Sequence, residues 1–342
     1  MSTRIRVAVL AAVVVLALLV AVVYVLRVQR EQASEAEAAP AVPVADLTTA
    51  TAGPHLVFRN TALGNGYGKL AVVPLSDPGG ARALTTMSCE RAYAAAGRSV
   101  CLSARRGITN TYKAEVLDDA WEATGDLPLT GLPSRVRLSR DGSLAVTTTF
   151  VYGDSYATVG QFSTRTLITR IGAGGKGSAD LENFKLYVDG KRVTAADRNL
   201  WGVTFADDDT FYATAASGGT TWLVKGSLSS HRLDSIRTDV ECPSLSPDRT
   251  RIAFKKHGNL PNGQWRLAVY DLRTGQETLL AEQTSVDDQA EWLDDDTVLY
   301  GLPRTSDSGA ATSDIWAVPA DGTGAPRLLV RDAWSPAVVR PS

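Results

Sequence analysis

The chain has 342 residues, with 35 basic against 37 acidic side chains and a net charge of −2 at neutral pH. This balance excludes a polybasic nucleic-acid surface, and 44% apolar with 21% charged residues excludes a disordered chain. Three cysteines are too few for a disulfide scaffold, and three histidines leave little for metal or acid–base chemistry, so no metal or cofactor is expected.

Residues 1–6 form a short tail before the unbroken apolar run VAVLAAVVVLALLVAVVYVL at 7–26. Twenty residues at about 1.5 Å each span the roughly 30 Å hydrocarbon core of a bilayer. The apolar stretch of a secretory signal is shorter, about 7–15 residues, so an uncleaved signal anchor is expected. A cleaved signal ending at AEA or APA near Pro40 is the alternative. Arg4 and Arg6 on one side nearly balance Arg27 and Arg30 on the other, and the short tail makes an N-inside insertion the simpler one. Everything after residue 26 is then expected outside the cytoplasm, at the cell membrane. Without those four arginines, 31 basic residues face 37 acidic ones.

Residues 27–53 read as a stalk, helix-prone in RVQREQASEAEAA and Pro/Ala/Thr-rich in PAVPVADLTTATAG. Residues 54–342 carry short apolar runs punctuated by Gly, Asp and Ser, the pattern of an all-β domain.

Two units recur within it. The first is a strand, turn and strand carrying Val73, Val116, Val159, Val224, Val269 and Val318, at intervals of 43, 43, 65, 45 and 49 residues. The second is a strand running into a tight turn, marked by Tyr93, Leu138, Phe205, Leu245 and Trp292 at intervals of 45, 67, 40 and 47. The long interval falls at the same place in both series and predicts an insertion near LENFKLYVDGKRVTA. Repeats of about 40–50 residues predict the blades of a β-propeller, here six. The first blade lacks a leading strand, and DAWSPAVV at 332–339 supplies it, so the last strand is expected to close the ring beside Val57.

The segments PSLSPDRTRIAF and RLAVYDLRTG resemble the repeat of TolB-type six-bladed propellers, a WD-like repeat family. Arg249 stands where that family's turn has Gly, and a stalk stands where its translocation protein has an α/β domain. The resemblance implies the fold and leaves the function to the site.

The candidate chemistry is sparse. Asp207-Asp208-Asp209 and Asp294-Asp295-Asp296 occupy tight-turn positions, where Asp bonds its own backbone. His55, His231 and His257 are scattered, no GxSxG elbow is present, and GAGGKG at 172–177 lacks the helix that a phosphate loop needs. Cys89 and Cys101 flank a turn on neighbouring antiparallel strands, close enough for a disulfide, with two buried thiols as the alternative. Cys242 reads as a small buried apolar residue.

A propeller binds where its inter-blade loops and the loops between second and third strands converge. The latter are LGNGYG, VYGDSY, ASGGT, HGNLPNGQW and PRTSDSGAATSD, and the inter-blade segments add Glu90, Arg135, Arg198, Trp201, Glu241, Asp287, Asp288 and Trp334. Two functions follow from different classes. One is a membrane-tethered scaffold that holds a protein or cell-envelope polymer on this face, with no nucleic-acid partner and no catalytic residues. The other is a propeller lyase or cyclotransferase working from acidic channel residues, for which a carboxyl with a strongly raised pKa in the channel would speak.

Overall fold

The computed structural model describes residues 2–38, 42–105, 107, 109–153, 162–172, 177–305 and 311–340. The first described element is helix α1 (Thr3–Ala38). Apolar side chains cover all faces of its 7–26 run, an 18-residue window within Thr3–Glu31 has a mean hydropathy of 3.2, and none of that window is buried against the protein. A helix apolar all round needs an apolar surround. Its length and composition suit a membrane anchor or a signal sequence.

Six sheets, each built on four antiparallel strands, then form a six-bladed β-propeller. Blade two runs from the channel outward through Arg91–Ala95, Arg98–Arg105, Thr111–Leu117 and Ala123–Leu127. The inner strands of the next four blades are Leu132–Leu138, Asn199–Phe205, Glu241–Leu245 and Glu291–Trp292. The five apolar markers Tyr93, Leu138, Phe205, Leu245 and Trp292 all lie on these inner strands. Val159 lies outside the described residues, as do 154–161, 173–176 and 306–310 and the Pro40 cleavage region. The third strand of blade three, Ser163–Arg170, begins beyond Val159.

Blade one closes as expected. Its inner strand is the C-terminal Ala333–Val339, paired with His55–Asn60 so that Ala337 sits opposite Val57. The predicted insertion is a hairpin, Lys185–Val188 and Lys191–Val193, added to blade four by a parallel pairing with Arg232–Thr238. Its edge strand carries Lys191 and Arg192, both exposed, which discourages pairing with another chain.

The core lies between blades. Val146, Ile168, Leu200, Phe211 and Val224 pack at the seam of blades three and four, and Leu56, Phe58, Leu299, Ile315 and Ala333 at the seam of six and one. Each of the Val, Leu, Ile and Phe side chains contributes about 1.5–3 kcal/mol when buried. Strand alternation supplies a face to each neighbouring blade, so every sheet is apolar on both sides.

Three inner strands carry a left-handed residue at their bulge: Gly202 at φ +63°, Cys242 at +49° and Ser335 at +57°. A Cβ on Gly202 would lie 2.6 Å from the Cα of Cys242, so glycine permits both the turn and the approach of the next blade. Asp side chains close the tight turns. Asp207 accepts from the amides of Asp209 and Thr210, Asp294 from that of Asp296, and Asp248 from that of Thr250. This is the turn role expected for the Asp triplets.

Cys89 and Cys101 are joined, with Cα atoms 5.4 Å apart. The residue directly opposite Cys101 is Ala92, and Cys89 precedes the inner strand. The bridge therefore ties the connection between blades one and two to the second strand of blade two.

Residues 43–53, expected as plain spacer, pack against the propeller. Val44 bridges to Arg82, and Asp46 caps α2 (Leu47–Thr51) by accepting from the Thr49 amide. Ala50 is buried with Val57, Trp121 and Val339. Propeller-bound structure thus begins before residue 54.

Candidate functional site

Side chains from the inner strands and the segments before them fill the middle of the channel with ionic contacts. Arg137 on blade three lies 3.3 Å from the Glu291 carboxylate on blade six, and also donates to the Ser244 hydroxyl and the Ala290 carbonyl. Tyr93 on blade two donates to the same carboxylate at 2.9 Å. Nearby, Arg91 reaches Asp288 at 3.3 Å, and the Gly301 amide donates to Asp288 at 3.1 Å. The fully buried Lys255 donates to Asp287 at 2.6 Å and stands 4.1 Å from the centre of the Trp265 ring. Trp265 in turn donates to Glu241 at 2.9 Å.

The electrostatics follow from these contacts. Burial pushes the carboxyls of Asp288 and Glu291 above the usual range, opposed by Arg91 and Arg137 respectively. Burial also raises Asp287, but the Lys255 and Arg135 cations overcome it and hold this carboxyl at about 2. Burial disfavours the Lys255 ammonium, yet Asp287 keeps its pKa above the ordinary lysine value. Asp287 and Lys255 are therefore a charged pair at neutral pH, the condition under which buried ions are tolerated.

A cavity lies on each side of this layer, and the two share no lining residue. The larger, about 1410 Å³, opens among the tight hairpin turns and is walled by Tyr93, Trp121, Phe205, Trp292 and the turns around Asp141, Asp208 and Pro247. Thr51 and His55, where the docked segment enters blade one, stand on its wall. The smaller, about 330 Å³, lies on the loop face among Arg59, Tyr67, Glu90, Arg135, Asp287 and Trp334.

Four of the eight residues singled out from the sequence, Glu90, Arg135, Asp287 and Trp334, therefore meet in one cavity. The others do not line it. Asp288 is 1% exposed and holds Arg91 beneath the wall. Glu241 is spent on Trp265, and Trp201 is buried edge-on to Phe162. Arg198 donates to the carbonyls of Ala195, Glu182 and Phe184 and pins the insertion.

Arg59, Arg91, Arg137 and Lys255 were not singled out. Arg137 was within reach: in SRVRLS it sits two residues after Arg135, and a strand's period of two puts both on the channel side. Lys255 lies within a second strand, RIAFKK, where nothing local marks a lysine for full burial. Among the described residues no group of three or more His, Cys, Asp or Glu is placed to hold a metal ion.

No family model and no curated protein matches the chain. Solved structures do. TolB from Acinetobacter baumannii matches with a TM-score of 0.59 at 15% identity, over 86% of this chain and 68% of that one. A puromycin-hydrolyzing peptidase from Mycobacterium tuberculosis matches with a TM-score of 0.50 at 15% identity, over 85% of this chain. The chain spans only 45% of that peptidase. A TolB described as putative, from Agrobacterium tumefaciens, gives 0.49 at 11% identity, over 81% of this chain and 88% of that one. The fold and its two-mouthed channel define a six-bladed propeller. Its likeness is to TolB, and at such identities the likeness is one of fold.

Proposed function

We propose that the protein is a membrane-tethered binding module that works outside the cytoplasm and holds a protein or cell-envelope polymer on its loop face. The path of the tether carries this reading. The segment following α1 docks at the hairpin end of blade one, with Thr51 and His55 on the wall of the larger cavity. None of residues 43–53 lines the loop-side cavity, so the docked segment leaves that cavity open. The Cys89–Cys101 bridge agrees with an oxidising compartment, where structural disulfides persist.

A lyase or cyclotransferase reading would draw on the raised carboxyls Asp288 and Glu291. Both are held by an arginine and a second donor, which leaves them little freedom to shuttle a proton.

Alkaline phosphatase, active only outside the cytoplasm, fused after Gly53 tests the placement. Activity supports the reading, and a silent fusion beside an active cytoplasmic reporter at the same site overturns it.

A further inference from the structure

We propose that the loop-side cavity is a carbohydrate subsite that takes one or two rings of an uncharged glycan, an inference that rests on the loop-face reading above and narrows its ligand. The charges at this cavity are matched within the protein. Arg59 stands 3.7 Å from Glu90, Arg135 3.6 Å from Asp287, and Arg91 3.3 Å from Asp288. An ionic ligand gains no uncompensated counter-charge here, and it would have to separate one of these pairs to form its own. Separating pairs that are partly buried is costly.

A sugar hydroxyl meets the same wall differently. It donates and accepts at once, and an adjacent guanidinium and carboxylate offer a donor and an acceptor side by side. Two vicinal hydroxyls therefore satisfy an Arg–carboxylate pair without breaking it. Such ion-pair walls are also stiff: the Arg135 and Arg59 side chains are only 6% and 15% exposed, so little side-chain entropy is lost on binding.

The apolar C–H face of a sugar ring needs a flat partner, and Tyr67 provides one. It is 39% exposed, its hydroxyl is fixed to the Ala311 carbonyl at 2.8 Å, and the Arg59 guanidinium lies 4.9 Å from its ring centre. The volume of about 330 Å³ is at the small end of ligand sites, room for a short saccharide and too little for a folded partner. Nor does the wall form a single-signed pocket for a charged peptide terminus.

The test uses the full chain in nanodiscs and saturation-transfer NMR with cellobiose, maltose, N,N′-diacetylchitobiose and digalacturonic acid. Transfer to at least one of the three neutral disaccharides is expected, with affinity reduced about tenfold in Tyr67→Ala and unchanged in Asp208→Asn on the opposite face. A Tyr67→Phe variant, which keeps the ring, should retain most of the affinity. No transfer to any neutral disaccharide, transfer unchanged in Tyr67→Ala, or a preference for digalacturonic acid would each overturn the proposal. A protein captured at the loop face by a chain that binds no sugar would likewise remove the glycan inference and leave the tethered-binding reading standing.

Discussion

The Tyr93 hydroxyl donates to the Glu291 carboxylate at 2.9 Å, joining inner strands of blades two and six across 198 residues of sequence. The contact passes over the inner strand of blade one, the C-terminal segment that closes the ring. Arg137 holds the other side of the same carboxylate. Tyr93→Phe keeps the ring and removes one donor from a buried acid. A loss of about 1–3 kcal/mol and a melting temperature lower by a few degrees is expected by calorimetry. An unchanged melting temperature would show that the contact contributes nothing.

Ring closure depends on Ala337 lying opposite Val57. Removing residues 331–342 strips blade one of its inner strand and exposes the edge of His55–Asn60. Aggregation or the loss of cooperative unfolding should follow. A truncated protein with the parent's melting curve would contradict the closure.

The Cys89–Cys101 bridge joins cysteines 12 positions apart and should add roughly 3 kcal/mol by restricting the unfolded chain. Cys89→Ser with Cys101→Ser is expected to lower stability by up to that amount. Mass spectrometry of the non-reduced, alkylated protein should give one linked peptide pair and a single thiol at Cys242. Three alkylated cysteines in protein taken from membranes would remove the bridge.

The order of elements was legible because blade periodicity is local. Each Asp- or Gly-rich turn and each apolar marker, from Tyr93 to Trp292, sits within its own short segment. The insertion near Leu186 was legible as an interval that lengthened in both series at once. The ionic layer was not. Lys255 meets Asp287 across 32 residues, and Tyr93 meets Glu291 across 198, so no spacing rule connects them. The docked segment at 43–53 was hidden by composition, because only Ala50, the partly buried Leu47 and backbone hydrogen bonds between residues 43–45 and Arg82 carry its attachment. Half of the candidate site residues met in one cavity, since inter-blade position fixes the face but not whether a side chain turns to the cavity or into a seam.

Two carboxyls give opposite pH dependences. Burial, with the nearby Asp180 charge, raises Glu182 to about 8. Its neutral form is the one the fold favours, so its contribution is full below the ordinary carboxylate pKa near 4.5 and is lost as pH rises through about 8. Glu182→Gln should flatten the decline in melting temperature between pH 5 and 9. Asp287, half-buried yet held at about 2, contributes above its ordinary 3.8 and loses that contribution as pH falls towards 2. The stability gap between the parent and Asp287→Asn should therefore narrow from pH 4 to pH 2. Parallel pH curves for parent and variant would contradict either assignment.

The most direct measurement of the account is site-specific photo-cross-linking in intact cells, with the reactive residue placed at Asn65 on the loop face or at Asp208 on the hairpin face. Both positions are exposed. The account predicts a discrete adduct from Asn65, lost when Arg135→Ala is added, and none from Asp208. Adducts from Asp208 alone, or none from either position in a properly folded and membrane-inserted protein, would contradict a tethered propeller that binds through its loop face.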